Sequence, residues 1–568
     1  MPTGLNLGSL STAGGVARLV GTSSQLDTEA LVKAVYEAKR APAVRLENSI
    51  TRNEAKAAAF AELKGLLEKL QSSLDGLRNP PGTLGGESNL FEAKQAYLSS
   101  STTTRPDTLV GLDIADRASV GTFALTVERL ATAEKQATAS VGGAGVTLAD
   151  GWNAGSGFAG TLLIGLAGGP QQRIAVDGTM TLADLRAAIN AKSVETGVTA
   201  SIVKVSDTDC RLILTGTETG RAITLGSDPA GDDVLGRMGL SRLQAAQTSR
   251  IVVDGVTVER TGNTIDDLYE GVTLSLLKAE PGTTVTVGIE PDLASIKSGI
   301  RSFVDAYNAV RDFVAKQSAV DASGKVSEGA VLHGDSVLRS LSVDLAMLAG
   351  GSVVGLASGA PATLRDIGLG FDADNRLVID GSRLDRKLLS DLDSVRGVLA
   401  FGFSASSPEL RVLGRSNALT DTSFRLDIVD ADADGVPESA SIDGVAVDVT
   451  GGRIEGRAGT AYEGLELVWV GKGSTSIDVR ISTGVADRLF NALDDALDEL
   501  DGPIGHAIAD LAATNEAYRK QIAAIDQRAE AMRARLVARY SAMETALSLA
   551  ETMMRQVQAQ MDAMTARN

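Results

Sequence analysis

The stretch "DIVDADADGVPE" places carboxylates at alternate positions, Asp430, Asp432 and Asp434, with Gly435 directly after the last. Oxygen ligands at the first, third and fifth positions and a glycine at the sixth form the first half of a calcium loop, where the glycine permits a sharp turn. The twelfth position is Ser441 rather than glutamate, and no helix is expected on either side. The stretch reads first as a solvated acidic loop, with a structural calcium site as the alternative. His333 and His506, the two histidines, lie far apart with no partner motif around them. The single cysteine, Cys210, sits in the strand-like run "DCRLILTG" and reads as a buried structural thiol. One cysteine makes neither an intrachain disulfide nor a zinc cluster. "GKGSTS" at 471–476 lacks the spacing of a phosphate loop, and no G-x-S-x-G elbow occurs. No catalytic residue, metal ligand or cofactor is therefore assigned, and an enzyme is not expected.

Composition narrows the partners. The chain of 568 residues is 43% hydrophobic but only 4% aromatic, which suits long helices and β-domains and gives no hint of an aromatic-lined pocket. A formal net charge of −18 repels nucleic acid and anionic lipid, so neither is an expected partner. No apolar run approaches the ~20 residues that span a bilayer, so no membrane insertion is expected. The opening "MPTGLNLGSLSTAGG" shows no basic region followed by an apolar one, hence no conventional secretory signal.

The elements follow from periodicity. Residues 1–25 are small and polar and read as a flexible arm. A helix starts at "QLDTEALVKAVYEAKR", with Asp27 as N-cap, Glu29 in the first turn, and Leu26 and Leu31 spaced as a hydrophobic staple. Pro42 is expected to interrupt it near residue 40. A second helical stretch then runs to about 78 with Leu46, Ile50, Ala57, Phe60, Leu63, Leu67, Leu70, Leu74 and Leu77 on one side. From about 95 to 290 the pattern changes to short alternating runs. "RIVVDGVTVER", "RIAVDGTMTL" and "ASIDGVAVDV" each place Asp-Gly between two apolar runs, the chemistry of a tight hairpin. "GGAGVTLADGWNAGSGFAG" reads as exposed loop between such runs. Helix returns at "DLASIKSGIRSFVDAYNAVRDFVAKQ" with Ile296, Ile300, Phe303, Tyr307, Val310 and Val314 on its apolar face.

The expected fold is α+β multidomain, a paired N- and C-terminal α-helical, coiled-coil stalk with inserted antiparallel β-rich domains. The expected boundaries are a helical stalk or leg domain from 26–92 and 291–407 with 483–510, and a β-rich domain from 93–140 and 246–290. An inserted β-rich domain covers 141–245, a further β-rich insertion 408–482, and a C-terminal coiled-coil helix 511–568.

That last helix raises the functional question. From Ile504 the apolar positions Ile508, Leu511, Tyr518, Ile522, Ile525, Ala529, Met532, Leu536, Tyr540, Met543, Leu547, Ala550, Met554, Val557 and Met561 keep one side of a helix. Asn515 is the clearly polar residue in the seam, a type that sets register. Two consecutive steps of four, Met532 to Leu536 and Leu536 to Tyr540, followed by the step of three to Met543, make a stutter. The N-terminal segments supply too little matching helix, so sister copies or other chains are expected to cover the remainder. The assigned interface is Leu26, Leu31, Val35, Ile522, Ile525, Met532, Leu536, Tyr540, Met543, Leu547, Met554, Val557 and Met561. Arg528, Arg533, Arg535 and Arg539 lie off the stripe and read as a solvated face.

Several stretches together resemble the bacterial flagellar filament cap family, also called hook-associated protein 2. They are "SSQLDTEALVKAVYEAKRAP", the long run "VDGVTVERTGNTIDDLYEGVTLSLLKAEPGTTVTVGIEPDLASIKSGIRSFVDAYNAV", "LRDIGLGFDADNRLVID" and "GTAYEGLELVWVGKGSTSIDVRISTGVADRLFNALDDAL", in the family's order. "TLADLRAAINAKSVETGVTAS" is similar to a motif shared by flagellar axial proteins. The resemblance covers the chain from about 20 to 568, with 408–450 departing from it. It implies an extracellular protein of the bacterial flagellum, exported through the flagellar channel without a cleavable signal peptide. It also implies a ring-like homo-oligomer at the filament tip that retains flagellin and promotes its folding and insertion, with hook-associated proteins and a cytoplasmic export chaperone as further partners. The alternatives are another flagellar axial protein, a hook–filament junction protein or flagellin, and, in a different class, a surface adhesin whose β-domains serve cell adhesion.

Overall fold

Asp27 starts the first long helix: its carboxylate accepts the Ala30 N–H at 2.8 Å, and the helix runs from Thr28 to Arg78. Arg78 stands in the last turn, and Asn79, in the left-handed conformation at φ 51°, closes it. Buried Phe60, Leu63, Leu67, Leu70, Leu74 and Leu77 alternate steps of three and four, so one face of the second half is continuously apolar. The computed structural model describes residues 9–11, 18–20, 27–79, 89–143, 145–415, 419 and 422–565. The chain divides into two units, Met1–Gly85 with Ser298–Asn568, and Gly86–Lys297.

Pro42 does not interrupt the helix, contrary to expectation: all 51 residues are helical through it. A proline removes one N–H bond and crowds the preceding turn, but Pro42 itself is exposed while its neighbour Ala43 is fully buried. Packing of that neighbouring face holds the helix together across the defect. In the region expected as a flexible arm, Ser9–Ser11 pairs antiparallel with Arg18–Val20, and the rest of 1–26 lies outside the described residues.

The remainder of the first unit adds helices and one β-module. The helix Leu293–Ser318 buries Ile296, Ile300, Phe303, Tyr307 and Val310, with Phe313 and Gln317 completing the face past the half-buried Val314. The helix Val485–Leu497 buries Val485, Ala486, Leu489, Leu493 and Ala496. It lies along the second half of the N-terminal helix, where the Arg78 guanidinium sits 3.6 Å from the Phe490 ring centre and Gln71 donates to Asp494 at 3.0 Å. The last helix follows, Pro503–Thr565, 63 residues or about 95 Å long. Among the described residues no helix is long and apolar enough to cross a membrane.

The β-module of this unit is broader than the expected 408–482. Its five-stranded sheet opens with Phe401–Ala405, which pairs along Thr475–Thr483, and continues through Ser423–Val429, Ser439–Ile442 and Val445–Ala446. A four-stranded sheet packs on it around Leu426, Ile442, Leu467, Ile477 and Ile481. Phe401–Ala405 falls within the segment 291–407 expected for the helical stalk, yet its partner strand draws it into the sheet. A buried ion pair, Arg415 with Asp487, ties the module to the helix Val485–Leu497.

The second unit holds two antiparallel modules. In the first, a five-stranded sheet of Val256–Arg260, Ser249–Val253, Gly121–Arg129, Thr284–Pro291 and Lys94–Ser100 packs on a three-stranded sheet around Leu125, Ile251, Leu274 and Val287. In the second, a four-stranded and a three-stranded sheet enclose Leu162, Leu185, Ile189, Leu212 and the fully buried Cys210. That module takes in Lys135–Ala137, before the expected boundary at 141.

Two of the three Asp-Gly pairs turn hairpins: Asp254 and Gly255 stand at φ 48° and 84°, Asp443 and Gly444 at 47° and 81°. Positive φ at both central residues matches the twist of the flanking strands. Asp177–Gly178 does not form the expected hairpin. Its strand, Gln172–Asp177, leads into the helix Leu182–Ala191, because Thr181 and Asp184 cap each other's backbone N–H and commit the following residues to helix. The stretch expected as exposed loop also carries core. Leu148, Trp152 and Phe158 are buried, the two rings meeting edge to face at 6.1 Å.

Glu280 clips two loops of the first module together. It accepts Lys278 Nζ at 2.7 Å, Thr104 Oγ1 at 2.6 Å and Thr283 Oγ1 at 2.9 Å. These bonds, Lys278 first, hold its carboxyl at about 2 against an ordinary 4.5. A depressed folded-state value stabilises the fold above the unfolded value and ceases to do so as pH falls through the folded one. Glu280→Gln is expected to lower the melting temperature at pH 7, with the gap from wild type closing between pH 4.5 and about 2 in calorimetric scans. A gap independent of pH would contradict this role.

Candidate functional site: the terminal helix pair and its bare end

The two chain ends meet as antiparallel helices, and a few polar contacts set their register. Arg40 Nε donates to Asp526 at 2.9 Å and its Nη2 to Glu47 at 2.5 Å, and these two carboxylates, Asp526 first, raise the Arg40 pKa. Arg519 donates to Glu54 at 3.0 Å, and Lys64 lies 4.0 Å from Glu499. Inside the seam Asn53 Nδ2 donates to Asn515 Oδ1 at 2.9 Å, with Asn515 only 5% exposed. The amide pair satisfies two groups that would otherwise be dry, and it does so in one alignment of the helices.

The apolar seam is thin around this pair. Val32, Ala43, Ala529 and Val537 are buried, and Val35, Ile522 and Ile525 are half-buried. Beside Pro42 a groove of about 560 Å³ is lined by Lys39, Ile525, Arg528, Ala529, Ala531, Met532 and Arg535, which leaves Met532 exposed. At the stutter the buried positions move one residue on: Val537, Ser541 and Glu544 are buried, whereas Leu536, Tyr540 and Met543 are half-buried.

Continuing the register, Thr28 lies opposite the region of Tyr540, and the long helix runs on past it. Every residue from Thr545 to Ala563 is exposed. Leu547, Met554, Val557 and Met561, assigned from the stripe, are exposed here, and so are Leu549 and Met553, which that assignment omitted. Leu549 and Met553 are one helical turn apart beside the stripe, a signal that strict three–four counting passes over. Leu31 is exposed on the N-terminal helix, its neighbour Val32 taking the seam, and Leu26 lies outside the described residues.

Paired terminal helices carrying inserted antiparallel β-modules, with the long helix left bare at one end, define a structural protein built for assembly with other chains. "Flagellar hook-associated protein 2 C-terminus" matches residues 246–552, "Flagellar hook-associated protein 2 N-terminus" matches 24–134, and "Flagellin hook IN motif" matches 164–218. The chain belongs to the flagellar hook-associated protein 2 family. It is 29% identical over 410 residues to the A-type flagellar hook-associated protein 2 of Pseudomonas aeruginosa, covering 66% of this chain and 78% of that protein. With the flagellar hook-associated protein 2 of Escherichia coli K12 it shares 28% over 440 residues, 74% of this chain and 87% of the relative. The solved D1-D2-D3 domains of the flagellar cap protein FliD from Escherichia coli share its fold at a TM-score of 0.50 and 21% identity, covering 80% of this chain and 99% of that one.

Two outcomes test the helix pair. Asn53→Ala strands a buried amide on Asn515 and is expected to lower stability by about 1–3 kcal/mol in denaturant melts. Replacing both asparagines by leucine recovers that loss. Pro42→Ala restores a helical N–H at an exposed position and is expected to raise stability by up to about 3 kcal/mol. An unchanged melt would mean that Pro42 costs this helix nothing.

Proposed function

We infer that this chain is a filament-capping assembly protein of the bacterial flagellum, acting at the filament tip to promote flagellin folding and insertion and to prevent flagellin loss. Membership of the hook-associated protein 2 family supports the class. The observation that carries the mechanism is the uncovered end of the long helix. Six large apolar side chains, Leu547, Leu549, Met553, Met554, Val557 and Met561, are exposed there. At about 1.5–3 kcal/mol per side chain buried, covering them releases on the order of 10 kcal/mol. That is enough to drive association, and three of the six are methionines, whose flexible side chains repack against changing neighbours. The reading has the bare ends held by sister copies in a ring-like homo-oligomer and by incoming flagellin, with hook-associated proteins below. Before export through the flagellar channel a cytoplasmic chaperone covers the same stripe. Family matches at both ends of the chain favour the cap over a junction protein, flagellin or adhesin.

The test uses positions free of the seam. Met554→Asp, Val557→Asp and Met561→Asp together are expected to abolish filament growth in a complemented deletion strain, seen by electron microscopy, while helical content and the melting of the β-modules stay as in wild type. Full-length filaments from this variant would sink the mechanism. Leu536 and Met543 are half-buried and would confound folding with assembly.

A further inference from the structure

We propose that the acidic hairpin of the 401–483 module is a structural calcium site, with Asp430, Asp432 and Asp434 as its carboxylate ligands. Each of the three offers an oxygen, and these atoms lie within 4.8 Å of one another. Three like charges this close repel unless a cation sits among them. The loop's own bonds use one oxygen of each: Asp432 Oδ1 accepts the Asp434 N–H at 3.2 Å, and Asp434 Oδ1 accepts the Val436 N–H at 2.7 Å. Asp430 Oδ2 accepts N–H groups from Gly473 at 2.7 Å and Gly435 at 3.2 Å.

The decisive atom is the other oxygen of Asp430. The residue is 1% exposed, and Oδ1 is buried with no hydrogen-bond partner among the described residues. A buried carboxylate oxygen without a donor is costly, and a hard cation is the partner that satisfies it together with the two neighbouring carboxylates. Counting from Asp430, Val436 takes the seventh position, where a calcium loop uses a backbone carbonyl, and Glu438 the ninth. Gly435 stands at φ 93° for the turn. Antiparallel strands, Ser423–Val429 and Ser439–Ile442, replace the flanking helices, and Ser441 is paired within the second strand opposite Asp427. The bidentate twelfth-position glutamate is thus missing, which places the affinity in the weak range of extracellular modules, about 10⁻⁴–10⁻³ M. All-oxygen donors on a pliable hairpin favour calcium over magnesium, which demands near-octahedral ligands. Bound there, the ion fastens the hairpin to the Gly473 turn.

Full-length protein stripped with chelator is dialysed to equilibrium against radiolabelled calcium chloride and, separately, melted with and without calcium. One calcium per chain is expected, with a higher melting temperature for the module. Asp432→Asn with Asp434→Asn, both at exposed positions that leave Asp430's backbone bonds intact, is expected to weaken binding at least tenfold and remove the shift, while melting like wild type in chelator. Less than a tenth of an ion per chain at about 10 mM calcium, or equal binding by the double variant, would overturn the site.

Discussion

The structure depends on one mismatch: the helix at the start of the chain is too short to cover the helices at its end. The 51 residues of Thr28–Arg78 serve two partners. Its second half, with the evenly spaced leucines, is taken by Val485–Leu497, and only the first half remains for the 63-residue Pro503–Thr565. Burial of apolar side chains is the main driving force for such pairing, so the surplus length carries its apolar residues into water. The function inferred for the chain rests on this surplus.

Register decides where the surplus falls. A seam of alanines and half-buried isoleucines discriminates weakly between alignments, since sliding by a heptad changes little in contact area. The Asn53–Asn515 bond and the Arg40–Asp526 and Arg519–Glu54 pairs remove that ambiguity. The ion pairs are largely solvated and contribute little stability. Their value is in alignment, and alignment places Leu547 and the methionines beyond the partner's first residue.

The β-modules follow a different logic. Each closes its own core between two antiparallel sheets, one of them with Leu185 and Ile189 of its own short helix inside, so each meets its hydrophobic requirement without the long terminal helices. Self-sufficient modules attached at chain crossings tolerate divergence. The 408–450 region lies in such a module and carries the acidic hairpin. Arg415 and Asp487 anchor that module through an ion pair buried on both sides. A pair of this kind specifies an arrangement more than it stabilises one.

Periodicity and turn chemistry make much of this legible in the sequence. The Asp27 cap, the leucine face of the first helix, the Ile296–Val310 face, two of the three Asp-Gly hairpins and the length of the terminal stripe were all readable, because each depends on residues near one another in sequence. Where the reading failed, a distant or competing contact prevailed. Pro42 is helical because Ala43 is packed, Asp177–Gly178 leads to a helix because Thr181 and Asp184 cap it, and Trp152 is core because Phe158 folds onto it. The sequence alone established the kinds of elements, their order, and the excess of apolar helix over available partner. Only tertiary structure decided which residues of the stripe are bare, how the stutter rotates Leu536 and Met543 partly out of the seam, and which oxygen of Asp430 is left without a donor. Local spacing reports the face a residue occupies, but burial depends on what arrives from hundreds of residues away.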